Sequence, residues 1–215
     1  MVHNLSHSQS IVNQFVAELR DIQIQKDRMR FRKNLERIGE IFAYEISKTL
    51  KYEEREVVTP LGIATVPMLI EQPIVGTILR AGLPLHYGIL NYFDQADNAF
   101  ISAYRKHHKD GSFDIKLEYV GSPPMQGREL ILCDPMLATG SSIVMTYKAL
   151  LEKGMPSHVH IVSALASTQG VEYVKRNLPE NVTIWCAAID EELTAQSYIV
   201  PGLGDAGDLA FGNKM

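Results

Sequence analysis

Residues 129–142 read Glu-Leu-Ile-Leu-Cys-Asp-Pro-Met-Leu-Ala-Thr-Gly-Ser-Ser, and Ile143 and Val144 follow. The types and their order describe a buried strand that ends in an acid, a short hydroxyl-rich loop, and the first turn of a helix. In an open parallel sheet that junction lies at the carboxyl edge, where ligands sit and where a helix N-terminus offers unpaired N–H groups and the positive end of its dipole. A phosphate monoester suits it. The amides from Ala138 to Ser142 and the hydroxyls of Thr139, Ser141 and Ser142 can wrap the anion, and Gly140 lets the backbone come close. No Gly-Lys-Ser/Thr is present, so this is not a Walker loop. Asp134, just ahead, can accept hydrogen bonds from sugar hydroxyls if the ligand is a phosphorylated ribose. The same residues would also serve a plain capped turn between strand and helix, because Ser and Thr are preferred caps.

The surrounding pattern supplies elements to hold such a loop. From Ile11 to Leu50, apolar residues recur at spacings of three and four: Ile11, Val12, Phe15, Val16, Leu19 and Ile22, then Phe31, Leu35, Ile38, Phe42 and Ile46. This predicts two amphipathic helices, with Asp27 near the cap of the second and a role in packing over the core or against another subunit. A hairpin is expected over residues 56–59 and 62–66 around Pro60. Strands over 73–79, 99–104, 113–120, 129–133, 158–164 and 182–188 then alternate with helices over 84–93, 141–153 and 168–177. Apolar strands between amphipathic helices imply an α/β fold with a parallel sheet covered on both faces. Residues 106–112, Lys-His-His-Lys-Asp-Gly-Ser, read as a polar loop between two antiparallel strands. Beyond Asp190 the chain is glycine-rich and aperiodic, and it is treated as functional loop rather than sheet. The expected organisation is one domain over 1–215: N-terminal helices at 8–51, an α/β core at 52–190, and a C-terminal segment at 191–215.

The 215 residues carry 46% hydrophobic and 21% charged side chains and a net charge of −4. That balance excludes a disordered tail or a fibrous repeat, and it argues against a protein that wraps nucleic acid by bulk charge. Any phosphate must be held locally. Cys133 and Cys186 each sit in an apolar run and read as reduced core thiols, which suits a cytoplasmic protein, as does the lack of a signal-like start or an apolar membrane span. His107 and His108 are adjacent and lack metal-ligand spacing. Cys133 has no His placed by motif to activate it, and Trp185 reads as core.

Residues 134–142 resemble the phosphoribosyl-diphosphate loop of the phosphoribosyltransferases, close to the version in uracil phosphoribosyltransferases. Ile78-Leu79-Arg80-Ala81-Gly82 resembles that family's diphosphate-contacting segment, and residues 198–208, Tyr-Ile-Val-Pro-Gly-Leu-Gly-Asp-Ala-Gly-Asp, resemble its uracil-binding segment. A weaker likeness runs through Thr59-Pro60-Leu61-Gly62 and Phe31-Arg32, so the resemblance covers nearly the whole chain in order. It implies a phosphoribosyltransferase-like core with an N-terminal helical pair and a C-terminal hood over the base. It also implies attack of uracil on 5-phospho-α-D-ribose 1-diphosphate (PRPP), giving UMP and diphosphate.

Under that resemblance, Arg80 and Arg105 meet the diphosphate, whose negative charge grows as it leaves. The cradle for PRPP is Asp134, Pro135, Met136, Leu137, Ala138, Thr139, Gly140, Ser141 and Ser142. Asp205 belongs to the catalytic, PRPP-binding and uracil-binding sets, and is the candidate contact, direct or through water, for a Mg²⁺ ion brought in with PRPP. Uracil would be read by the Ile199 carbonyl and by amides near Gly204 and Ala206; cytosine would leave buried polar groups unpaired there. The family likeness further suggests a homo-oligomer and GTP as an effector, with no residue here marking an effector site. Departures from the family pattern fall at Pro84 and His86, at His107 and His108, and at Ser141. Two other readings stay open: a phosphoribosyltransferase for another nucleobase, and an RNA-binding pyrimidine-operon regulator of the same fold, against which the net charge weighs.

Overall fold

The computed structural model describes the backbone of residues 1–107 and 113–213 and the side chains of residues 1–102 and 118–213; the side chain of Arg105, the expected His107-His108 pair and most of the expected 106–112 loop lie outside the described residues. The chain runs β1 (Val2–Asn4), α1 (Ile11–Arg20), α2 (Arg28–Ser47), β2 (Tyr52–Thr59), β3 (Gly62–Leu69), β4 (Ile74–Leu79), α3 (Leu83–Leu90), β5 (Asp97–His107) and β6 (Phe113–Gly121). It continues with β7 (Glu129–Cys133), β8 (Met136–Leu137), α4 (Ser141–Leu150), β9 (His158–Ser167), α5 (Thr168–Asn177), β10 (Val182–Asp190), β11 (Glu192–Leu193), β12 (Ile199–Val200) and α6 (Ala206–Phe211).

The main sheet has the order β1-β10-β9-β7-β4-β5-β6, with the short β8 also pairing β9. Its pairings are parallel except for β5 with β6. The mixed α/β architecture, a mostly parallel sheet flanked by helices, is the one the alternating pattern implies. β9 is buried from Val159 through Ser167, as a strand covered on both faces must be. One core layer joins α1, α2 and α3 to the sheet through residues such as Phe31, Leu35, Phe42, Leu85 and Trp185. The opposite layer joins α4 and α5 through Ile143, Tyr147, Val171 and Val174. α2 and α3 touch backbone to backbone: a Cβ on Gly39 would run into the Leu85 carbonyl, and one on Gly88 into the Glu36 carbonyl.

Several expectations are corrected. The first helix stops at Arg20, and Ile22 is exposed beyond it, because the Asp21 carboxylate takes the amides of Gln23 and Ile24 in a turn of its own. The hairpin spans Tyr52–Thr59 and Gly62–Leu69, longer than expected, and its strands stand almost wholly exposed. Charged Glu53 to Arg55 and Pro67 had hidden the half away from the turn, but an exposed arm tolerates both. Several core strands run longer than expected; β5, for example, spans Asp97–His107, carried on by its pairing with β6. The segment beyond Asp190 is not free of sheet: β11 and β12 pair antiparallel, and α6 follows. The N-terminal β1 was unexpected and adds a parallel edge to β10, with His3 stacked on Trp185 at 4.1 Å. Among the described residues no helix is long and apolar enough to cross a membrane.

Candidate active site

The site lies at the carboxyl edge of the parallel strands, where β4 and β7 end side by side. Beyond Cys133 the Asp134 amide still donates to the Val162 carbonyl at 3.1 Å, and the Asp134 carbonyl accepts from the Ser163 hydroxyl at 2.6 Å. β8 then returns the chain to β9, and the Ser167 hydroxyl donates to the Ala138 carbonyl at 2.6 Å while accepting the Gly170 amide at 2.8 Å. A Cβ on Gly170 would run into the Ala138 carbonyl, so the first turn of α5 is pressed against the loop. Ser163, Ser167 and Gly170 therefore frame the cradle, although no local motif marks them in the sequence.

Gly140 takes φ 79°, which a residue with a Cβ rarely adopts, and it caps α4 without any side-chain hydrogen bond. The other helices near the site are closed differently: Asp27 caps α2, Ser167 caps α5, and Asp205 caps α6 through the Asp208 amide at 2.9 Å. α3 likewise opens on a glycine, Gly82, with no side-chain cap and with Pro84 in its first turn. In α3 the Leu83 amide donates to the Arg80 carbonyl at 3.3 Å and Pro84 has no N–H, whereas in α4 only the Ser141 amide is met, by the Thr139 hydroxyl at 3.4 Å, so the open first turn at this sheet edge is that of α4. Thr139 and Ser141 hydroxyls lie 3.3 Å apart at the mouth of the loop. Pro135 and Leu137 turn inward, so only their backbone faces the edge; Met136 packs against the core, and the half-buried Asp134 accepts the Met136 amide at 3.3 Å.

Arg80 follows a cis peptide bond after Leu79. Its guanidinium is engaged by the chain itself: one nitrogen donates to Asp208 Oδ1 at 2.8 Å and to the Gly212 carbonyl. Its Nε is buried without a partner. The expected open fork for a phosphate is therefore partly closed by the C-terminal segment. Gly82 cannot carry a side chain, since a Cβ would strike Thr77 Oγ1. His86, directly beyond, is buried, and desolvation lowers its pKa below the usual imidazole value.

The hood is built from β11, β12 and α6. Ile199 and Ala206 are buried, whereas Gly204 and Asp205 are exposed. A cis peptide precedes Pro201, and Gly202 at φ 57° and Gly204 at φ 98° shape the connection. A cavity of about 390 Å³ opens between Gly204, Asp205 and Asp208 on one side and Gln25, Lys26 and Arg28 on the other. The sequence reading gave those N-terminal residues no part in the site. Arg32, also from α2, donates to the Ala210 carbonyl at 2.7 Å.

Among the described residues no group of three or more His, Cys, Asp or Glu side chains could hold a metal by itself. A single exposed carboxylate at Asp205 fits an ion such as Mg²⁺, which keeps its waters and arrives on substrate phosphates. The Cys133 thiol beside Asp134 is fully buried, and desolvation raises its pKa far above the usual thiol value, which removes it as a nucleophile.

The model of the family described as uracil phosphoribosyltransferase matches residues 6–213. The chain belongs to that family. A uracil phosphoribosyltransferase of Porphyromonas gingivalis is 55% identical over 214 residues, covering 100% of this chain and 99% of the relative. A uracil phosphoribosyltransferase of Pyrococcus furiosus is 36% identical, covering 95% and 87%. Among solved structures, the AQ2163 protein from Aquifex aeolicus superposes with a TM-score of 0.87 at 30% identity, covering 99% of this chain and 98% of that one.

Proposed function

We propose that this edge transfers a phosphoribosyl group from PRPP to uracil, releasing diphosphate and forming UMP. The observation that carries the reading is the glycine-opened helix α4, whose first turn has no side-chain cap from Gly140 and lies just beyond the carboxyl end of β7. It binds the 5′-phosphate through the amides and hydroxyls of residues 138–142, with Asp134 taking the ribose hydroxyls. The loop at Arg80, with Arg105, faces the diphosphate. Uracil N1 forms its bond to ribose C1 as the bond from C1 to the diphosphate oxygen breaks; the electron pair leaves with the diphosphate, and the N1 proton passes to solvent or to the departing diphosphate. Cations that meet the leaving oxygens stabilise the charge developing there.

Base recognition falls to the backbone of the hood. The Ile199 carbonyl accepts the uracil N3–H, and amides around Gly204 and Ala206 donate to the uracil carbonyls. Mg²⁺ bound at Asp205 would supply charge neutralisation on the diphosphate. Homo-oligomerisation belongs to the same reading: a lone two-stranded arm is marginal in water, and Val58, Leu61 and Ile63 lie bare on this one. The two buried thiols suit a reducing, cytoplasmic setting.

The test is nucleotide and diphosphate formation by purified protein with PRPP, Mg²⁺ and uracil, cytosine, hypoxanthine or orotate, with and without GTP. UMP from uracil alone is the expected result. Turnover of another base, or tight salt-sensitive binding of pyrimidine-operon leader RNA without turnover, would replace the reading.

A further inference from the structure

Two cations in the hood cavity have no role in the sequence reading. Lys26 lies in the turn between α1 and α2, and Arg28 is the first residue of α2; both line the cavity opposite Gly204 and Asp205. Among the described residues neither has a carboxylate in ion-pair distance; the Lys26 ammonium donates only to the neutral Gln23 amide at 3.2 Å. The carboxylates across the cavity are already occupied. Asp208 pairs with Arg80, and Asp205 holds the Asp208 amide. Arg28 also approaches Gly212, where a Cβ would meet its guanidinium at 3.2 Å, from beside the carbonyl that Arg80 binds.

The cavity thus presents two uncommitted cations next to the exposed Asp205. Uracil is neutral and calls for neither. A diphosphate carries several negative charges, and Arg80 reaches it with part of its guanidinium committed to Asp208 and Gly212. We propose that Lys26 and Arg28 bind the diphosphate group of the sugar donor together with Arg80. This rests on the phosphoribosyl-transfer reading. It makes the N-terminal helical pair part of the substrate site, with Arg28 as the stronger contact because its planar fork matches phosphate oxygens.

The experiment compares wild type with Arg28→Ala, Arg28→Lys and Lys26→Ala. Steady-state constants for PRPP and uracil, calorimetric titration with Mg²⁺-PRPP in the absence of base, and thermal midpoints are measured for each. Loss of one charge-assisted contact predicts a rise of about tenfold in the PRPP KM and dissociation constant for Arg28→Ala, with partial recovery in Arg28→Lys. Lys26→Ala shows a smaller rise, while the uracil KM and the thermal midpoint stay near wild type. PRPP constants within about twofold of wild type, or a larger rise in the uracil KM, overturn the assignment. So does a change confined to the GTP response, which would give the cations to an effector's phosphates instead. Wild-type protein that binds PRPP but makes no UMP defeats the transfer reading alone, since the calorimetric comparison still decides the role of the cations.

Discussion

Arg20, the last residue of α1, forks both terminal nitrogens onto Asp190, the last residue of β10, at 2.7 and 2.8 Å. The same Asp190 accepts the Gly202 amide at 3.0 Å, and Arg20 donates to the Gly202 carbonyl at 3.1 Å. A nearly buried ion pair thereby ties the N-terminal helix to the turn of the hood between β12 and α6. With Arg32 on the Ala210 carbonyl, the helical pair holds the hood at both ends.

Removing one partner should expose what the pair holds. Arg20→Ala leaves Asp190 buried with only the Gly202 amide, and a charge stranded in this way costs about 2–4 kcal/mol. Urea unfolding should report that loss, and the uracil KM should rise more than the PRPP KM because the hood loosens while the cradle does not. An unchanged unfolding midpoint would show that the pair carries no structural load.

Gly170→Ala tests the frame of the cradle without touching a ligand-facing group. The added methyl must displace the Ala138 carbonyl or tilt α5, a strain of about 1–3 kcal/mol. The expected kinetic signature is a raised PRPP KM with uracil binding little altered. Equal loss for both substrates would point to general unfolding instead.

Asp205 has two roles that different substitutions separate. Asp205→Ala removes the cap of α6, worth about 1 kcal/mol, together with the negative charge. Asp205→Asn keeps an oxygen for the Asp208 amide and removes only the charge. If the carboxylate serves Mg²⁺ and the diphosphate, both variants lose most turnover while only the alanine variant loses stability. An active Asp205→Asn enzyme would reduce Asp205 to a helix cap.

The strand and loop over residues 129–142 were legible because three independent signals coincide there: an apolar run, an acid, and hydroxyls at a helix start. Thr168–Asn177 was equally clear from its period. The frame behind the cradle was not legible, since Ser163 and Ser167 act through partners 29 residues away and look like ordinary strand residues. The same holds for Arg20, Arg28 and Arg32. Arginines on an amphipathic helix read as solvated until the fold brings residues 190–212 over them. β1 was missed because three residues carry no usable alternation, and only pairing to β10 makes them a strand.

Stability should fall in two stages as pH drops. His3, His158 and His86 all have pKa values lowered from 6.5, chiefly by desolvation. Above about pH 7 these rings are neutral in both folded and unfolded chains and contribute no pH dependence. As pH falls below about 6.5 the unfolded chain takes up protons that the folded one refuses, so stability declines until the lowered folded values are passed. Carboxylates act in a lower window. Glu18 is pulled down to about 2, first by its hydrogen bond from Arg30 and then by Asn34, and Glu129 is lowered by the His160 ring. Their contribution is complete above about pH 4.5 and is lost as pH falls further toward the folded values. Urea midpoints measured from pH 8 to pH 3 should therefore show a plateau, a first decline below about 6.5 and a second below about 4.5. His158→Gln, which can keep the 2.9 Å contact with Thr183, should shrink the first decline and leave the second in place. A midpoint that holds level from pH 7 to pH 5 would mean that these rings are hydrated in the folded protein.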